Sequence, residues 1–180
     1  VVIMARPRVQ TDSGWQDADF SSLGIVVDGR LSAFIDQRLG AGDVTFIAAK
    51  KGMGTVLLNS RLTGLSGANL PVGSVMTVPR GAGLYAPGQN INAAIVYGTP
   101  NSVTGDVIAA NLNALMINGS MSGDIVLSGR LGVFVTGQKT FGQFSGNASA
   151  SSYGTILIRT GMSGSIRADD YISVYYLDGN

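Results

Sequence analysis

A gapless internal repeat constrains the fold more than any other feature of this chain. The residues IVVDGRLSAF at 25–34 return as IVLSGRLGVF at 125–134. When residues 25–66 are laid on 125–166 without a gap, twelve of forty-two positions are identical. Most other apolar positions exchange only for apolar ones, which indicates that one supersecondary unit occurs twice. We therefore predict two similar modules in tandem.

Each copy has the pattern of a β hairpin. In the first copy, the apolar segment 25–35 is interrupted by Asp28-Gly29, a pair suited to a type I′ turn. Ser128-Gly129 holds the same place in the second copy. We expect glycine with positive φ at both turns, so that a β-branched residue there would be destabilising.

Composition favours strands over helices. The chain has 26 Gly and no Glu, and its acidic residues are all Asp, which prefers turns and caps. The prediction is an all-β fold of two tandem, internally duplicated modules, each a small β-sandwich or barrel-like unit, with little helix.

The predicted organisation has four parts. Residues 1–19 are an N-terminal arm and 20–80 the first β module. Residues 81–119 connect the modules, and 120–180 repeat the first module.

The connecting segment carries mixed signals. Residues 79–90 are rich in Gly, Pro and Asn and predict a loop. A strand is expected at 90–97. Residues 106–117 are the one helix candidate, because Asp106 is a suitable cap and Leu112 lies on an apolar helical stripe. A strand over the same residues stays open.

The charge balance bears on partners. Nine Arg and three Lys face eleven Asp, for a net charge of +1, which offers no electrostatic reason to expect nucleic acid or an anionic membrane. Only 13% of residues are charged, whereas 45% are hydrophobic. We therefore expect other subunits to cover part of the surface, in a homo-oligomer for which a trimer is favoured. The alternative is a compact monomer with a surface of Ser, Thr, Asn and Gly.

The sequence argues against an enzyme and against a membrane span. His and Cys are absent, which excludes the common nucleophile triads, thiolate metal sites and disulfides. No apolar run has the length needed to cross a bilayer, and we expect no membrane partner, no cofactor and no metal. Two carboxylate pairs, Asp17 with Asp19 and Asp169 with Asp170, leave a glycosidase or a cation site as the alternative.

Three aromatic residues are candidates for stacking on glycan rings. Tyr85 and Tyr153 lie in segments rich in Gly, Pro or Ser, and Trp15 precedes an acidic pair. The competing interpretation is that such rings fill a core or an interface.

A repeated arginine is a candidate for subunit docking. Arg30 and Arg130 occupy the same position in the two copies, and each is able to pair with a carboxylate of a neighbouring chain. Exposed pairs of this kind contribute less than about 1 kcal/mol.

Three segments resemble the distal domains of tailed-phage tail fibres. They are LPVGSVM at 70–76, GLYAPGQNIN at 83–92 and SGRLGVF at 128–134. The resemblance implies a virion protein that assembles symmetrically and touches the host surface.

The expected function is therefore non-enzymatic. We predict a structural component of a tailed-phage virion, a tail or fibre protein with host-surface attachment, located in the extracellular particle. Its expected partners are other virion subunits and a host glycan. The alternatives are a capsid decoration or cement protein, and a secreted carbohydrate-binding module.

Overall fold

The computed structural model describes residues 2–5, 8–11, 14–17, 22–36, 42–73, 76–97, 103–137 and 142–177, with side chains from Leu23 onward. This part of the chain is all β, with 70% strand and no helix, so the predicted fold class is confirmed at that level. The strands are β1 (Val2–Ala5), β2 (Arg8–Thr11), β3 (Gly14–Asp17), β4 (Ser22–Val27), β5 (Leu31–Asp36), β6 (Asp43–Ala49), β7 (Met53–Leu58), β8 (Leu70–Val72), β9 (Met76–Val78), β10 (Ala82–Val96), β11 (Asp106–Ile117), β12 (Ile125–Leu127), β13 (Arg130–Thr136), β14 (Asn147–Ile158) and β15 (Ser165–Leu177).

Eleven of these strands form one sheet, and every pairing in it is parallel. The chain winds as a single β-solenoid of about six turns, which stacks seven rungs of strand. Rung 1 is β4 with β5, rung 2 is β6 with β7, rung 3 is β10, rung 4 is β11, rung 5 is β12 with β13, rung 6 is β14 and rung 7 is β15. At about 4.8 Å per step, the stack is about 29 Å long.

The solenoid has three sides. The first half of each rung forms the first side, and the second half forms the second side. Isolated parallel bridges form the third side, through Val44, Leu62, Val103, Met121, Phe144 and Met162. Apolar side chains from all three sides meet in one core that runs the length of the stack.

The sequence repeat of one hundred residues corresponds to four rungs. Register places Ile25 and Ile125 in one inward column, and Phe34 and Phe134 in another. The two copies therefore have equivalent positions within one continuous sheet. The expectation of two sandwich or barrel modules is wrong, because the repeated unit cannot bury its apolar side alone and stacks on its neighbours instead.

The expected hairpin turns are also wrong. β4 and β5 follow one another within a rung and pair with other rungs, so Asp28-Gly29 lies at a corner of the solenoid. Neither Gly29 nor Gly129 has positive φ. A Cβ added at Gly29 would meet open space, whereas one at Gly129 would overlap the Asn111 side chain.

A short motif marks the corner between the third side and the first. An apolar bridge residue is followed by Ser or Thr and then by glycine, as in Met121-Ser-Gly and Phe144-Ser-Gly. A Cβ on Gly146 would overlap the carbonyl oxygen of Gly123, and one on Gly164 would overlap that of Gly146. Glycine at this corner therefore allows successive rungs to approach at backbone distance.

Polar residues after these glycines form a ladder along the same corner. Asp106 Oδ1 accepts a hydrogen bond from the Asp124 amide at 2.8 Å, and Asp124 Oδ1 accepts one from the Asn147 amide at 2.7 Å. Asn147 Oδ1 then accepts from Ser165 Oγ at 2.8 Å. Burial raises the pKa of Asp106, although the Asp124 amide partly offsets this. The ladder satisfies backbone donors where the rungs begin.

The connecting segment is part of the stack. The predicted loop at 79–90 is wrong from Ala82 onward, because β10 begins there, while the strand expected at 90–97 is confirmed to Val96. Residues 106–117 are β11, so the strand alternative is confirmed and the helix is wrong. Asn111 and Asn113 favour this outcome because both are poor helix formers.

Two antiparallel hairpins accompany the solenoid. β2 pairs with β3, and β1 extends the second side by pairing with β5, so the predicted arm at 1–19 is partly built into the sheet. The second hairpin, β8 with β9, is an insertion between rungs 2 and 3. It leaves the stack at Leu65 and returns at Ala82, whose backbones are hydrogen-bonded at 2.9 Å.

Candidate assembly surfaces

The outward surface of the second side carries no charge, and we call it the lateral face. On this side the residue after the first core position is polar or glycine in every rung, as at the exposed Ser32, Asn92 and Asn113. From the next residue onward side chains alternate, so the residues between the buried core positions point outward. Of these fourteen positions, twelve are apolar and two are Thr. They are Ala33, Ile35, Thr55, Leu57, Ala93, Ile95, Ala114, Met116, Val133, Val135, Thr155, Leu157, Val174 and Tyr176.

The outward surface of the first side is partly covered by another segment of the chain. There the inserted β8–β9 hairpin covers rungs 1 to 4 and forms a second, smaller apolar cluster. That cluster contains Phe46, Ala48, Val78 and Ala82, with Val26, Leu65, Val72, Met76, Tyr85 and Ile108 packed against it. Beyond the hairpin, rung 5 exposes Val126, and the residues in register with it on rungs 6 and 7 are the polar Ser149 and Arg167. The first side is therefore either covered by the chain's own hairpin or carries mainly polar outward residues.

Among the residues whose side chains the structure describes, from Leu23 to Leu177, no hydrophobic cluster covers the lateral face in the same way. A sheet with one face in water normally alternates apolar inward residues with polar outward ones. Here twelve of the fourteen outward residues are apolar as well, across all seven rungs and over a length of about 29 Å. A contiguous apolar patch of this size marks an interaction site in a folded protein.

The last rung presents a second apolar surface. β15 pairs with β14 on one edge, and in the described chain nothing pairs with its other edge. Six of the nine large hydrophobic side chains that are strongly exposed lie on this strand. They are Tyr171, Ile172, Val174, Tyr175, Tyr176 and Leu177.

The structure describes the side chains of two of the three predicted glycan-stacking residues. Tyr85 lies on β10 and is half-buried beneath the inserted hairpin. Tyr153 is fully buried in the core column between Leu131 and Ile172. The expectation that Tyr153 is available to a glycan is therefore wrong. Trp15 lies on β3, whose side chains are outside the described part.

The hydroxyl group of Tyr153 is buried without a hydrogen-bond partner among the described residues. Burial, with a smaller contribution from the negative charge of Asp169, raises the pKa of Tyr153 to about 12. The folded state therefore holds the neutral phenol more strongly than the unfolded state does, whose pKa is about 10.

We expect Tyr153 to make stability fall at high pH. Because the folded pKa is raised, its contribution is complete below about pH 10 and is lost as pH rises towards about 12, by about 2 kcal/mol. Urea unfolding at pH 9 and at pH 11.5 measures the alkaline loss of stability. The Tyr153→Phe variant should lack the part of this loss that comes from ionisation of Tyr153. An equal alkaline loss in both proteins would contradict the assignment.

Arg30 and Arg130 lie at the corner between the first and second sides, four rungs and so about 19 Å apart along the stack. Both are exposed. The Arg130 amide donates to Asn111 Oδ1 at 2.7 Å, and Asn111 Nδ2 donates to Asn90 Oδ1 at 2.8 Å. The equivalence of the two arginines is thus part of the rung repeat, and their docking role stays a prediction.

The two candidate carboxylate pairs are only partly described. Asp169 forms an exposed ion pair with Arg167 at 3.3 Å on the same strand, while Asp17 lies on β3 and Asp19 is outside the described residues. Within the described ranges, no group of three or more His, Cys, Asp or Glu lies close enough to hold a metal ion.

The lateral face was missed because its signal is spread over several strands. Segments such as TVLL at 55–58, AAIV at 93–96 and TILI at 155–158 are apolar at both alternating positions.

No protein-family model, curated protein or solved structure matches this chain. Across the described residues, no helix is long and apolar enough to span a membrane.

Proposed function

We propose that this chain is a non-enzymatic structural protein of a tailed-phage virion, a tail or fibre component whose subunits associate through the lateral face. The observation that carries the proposal is the uncharged outward surface of the second side, continuous through all seven rungs. The resemblance of three segments to fibre domains supports the virion assignment and favours a trimer. The particle surface is the proposed location, with host attachment as its role.

The fold suits a structural subunit, because successive rungs are linked by several sets of hydrogen bonds. Backbone hydrogen bonds between parallel strands join each rung to the neighbouring rungs along the whole stack. Side-chain ladders, such as Asn113 Nδ2 donating to Asn92 Oδ1 at 3.0 Å, add a second set of links between rungs. Such a subunit needs no disulfide, in keeping with the absence of Cys.

Association through the lateral face should remove its apolar surface from water. A lysine placed in the centre of this face would bury an unpaired charge in the assembly, which is strongly unfavourable. In the isolated chain the same lysine would extend into solvent, because Leu57 and Met116 are only partly buried.

We expect Leu57→Lys and Met116→Lys to weaken assembly at least hundredfold, or by about 2.7 kcal/mol. Sedimentation at micromolar concentration should show the wild type as a closed oligomer. The same measurement should show the two lysine variants as smaller species. Val126→Lys is the matched control, because Val126 is 47% exposed on the outward surface of the first side. Melting curves establish that each variant is folded.

Two results would overturn the proposal. A wild-type monomer would exclude self-association and favour the capsid decoration alternative, in which a shell lattice covers the face. An oligomer that Leu57→Lys and Met116→Lys leave intact would exclude the lateral face. The virion assignment is tested separately, by mass spectrometry of purified particles from the phage that encodes the chain.

A further inference from the structure

The outward residues of the lateral face form two columns that differ in size. The small column lies next to the corner with the first side, runs from Ala33 to Val174 and contains only Ala, Thr and Val. The large column lies next to the third side, runs from Ile35 to Tyr176 and contains Ile, Leu, Met, Val and Tyr. In every rung except rung 5, which has valine in both columns, the residue of the large column is the bigger one. The face is therefore low along one edge and high along the other.

Two such faces can meet with their strands aligned in two ways. A symmetry axis that runs along the stack keeps the solenoids parallel. It places the small column of each copy beside the large column of the next, whether two or three copies share the axis. A two-fold axis that runs along the strands makes the solenoids antiparallel instead. Small residues then meet small residues along one edge, and large residues meet large residues along the other.

Close packing favours the parallel arrangement. The centre of a specific interface is packed as densely as a protein interior, and facing positions fill space when large residues meet small ones. The antiparallel arrangement would leave a gap between the small columns and force the large columns into overlap. In the parallel arrangement the alanines at Ala33, Ala93 and Ala114 leave room for the Ile and Met side chains of the neighbouring copy.

We infer that the partner of the lateral face is a second copy of this chain that lies parallel to the first, with equal rungs at the same level. This inference rests on the proposed association through the lateral face and adds its direction. Equal rungs lie level because a closed assembly around an axis along the stack has no translation along that axis. Every copy then points the same way, so the assembly has two unlike ends and carries the inserted β8–β9 hairpin of each copy at one level.

The size and the charge of the face fit a second copy. Leu31–Asp36 crosses the second side with six residues, so the face is about 20 Å wide and about 29 Å long. Two copies would cover roughly 1,200 Å² in total, which reaches the lower limit of a stable specific interface. None of the fourteen outward residues carries a charge. The face therefore suits a surface as uncharged as itself better than it suits an ionic partner.

Cross-linking of single cysteines measures the direction, because the chain contains no Cys of its own. Ala33→Cys and Thr155→Cys both lie in the small column, on rungs 1 and 6, and so about 24 Å apart along the stack. In parallel, level copies each cysteine lies about 10 Å from the same cysteine of the next copy, the distance between packed sheets. A short bismaleimide linker spans that distance. We expect it to join most chains of both variants to a second chain.

An antiparallel assembly would give a different result. Only one level of an antiparallel stack meets itself, so at least one of the two cysteine variants would stay unlinked. Such a result, in an oligomer that Leu57→Lys dissociates, would overturn the parallel arrangement while the lateral-face association holds. A wild-type monomer would instead remove the association and the inference together. Sedimentation establishes the oligomeric state of each variant, and Val126→Cys, on the outward surface of the first side, is the control that should not link.

Discussion

Gly146→Ala should lower the free energy of unfolding by more than about 3 kcal/mol, a loss typical of substitutions with a specific steric cause. The new Cβ would overlap the carbonyl oxygen of Gly123, which belongs to the backbone of the rung before it. No flexible side chain can move aside, so rungs 5 and 6 must separate or the corner must distort.

Gly29→Ala is the control for this effect. Its Cβ would meet nothing within 4 Å, and φ at Gly29 is not positive. We expect a change of less than about 0.5 kcal/mol, or a slight gain from the stiffer unfolded chain. Urea unfolding followed by circular dichroism measures both variants. Equal midpoints would show that the rungs do not approach as closely as the fold requires.

Phe144→Ala should cost about 3–5 kcal/mol. Phe144 belongs to the third side and Phe134 to the second, and both are fully buried. Their rings meet edge to face, with centroids 5.2 Å apart and planes at 83°. The pair therefore joins two sides of the core within one rung, and its loss leaves a cavity that the parallel backbone cannot close.

A double-mutant cycle isolates the ring contact. Phe134→Ala with Phe144→Ala should show a coupling of about 1 kcal/mol, since the residues touch. Val126→Ala, on an exposed valine, controls for loss of apolar volume away from the core and should cost less than about 0.5 kcal/mol. Additive losses for the aromatic pair would contradict the contact.

The strand content and the equivalence of the two repeats were readable from the sequence. The apolar segments of the repeat and the lack of Glu predicted strands, and the gapless alignment predicted that Ile25 and Ile125 are equivalent. The rung period was missed because the rungs vary in length. The third-side residues Val103, Met121, Phe144 and Met162 are separated by 18, 23 and 18 positions, so no fixed period joins them.

The prediction for Tyr153 failed because the local composition was ambiguous. SASSYG at 149–154 has the composition of a flexible loop, yet it lies on β14. Its small residues allow close contact between rungs, and Tyr153 fills the space that they enclose. The serines and the glycine that give this segment a loop-like composition are packing residues.

The sequence by itself determined the chemical character of the chain: strand-forming, without His or Cys, sparse in charge, and built on a repeat whose positions are equivalent. These properties follow from residue type and order, which are local. Only the tertiary structure decided which strands are neighbours, because parallel pairing joins residues that are distant along the chain. That pairing gathers outward residues such as Leu57, Met116 and Leu157 into one lateral face.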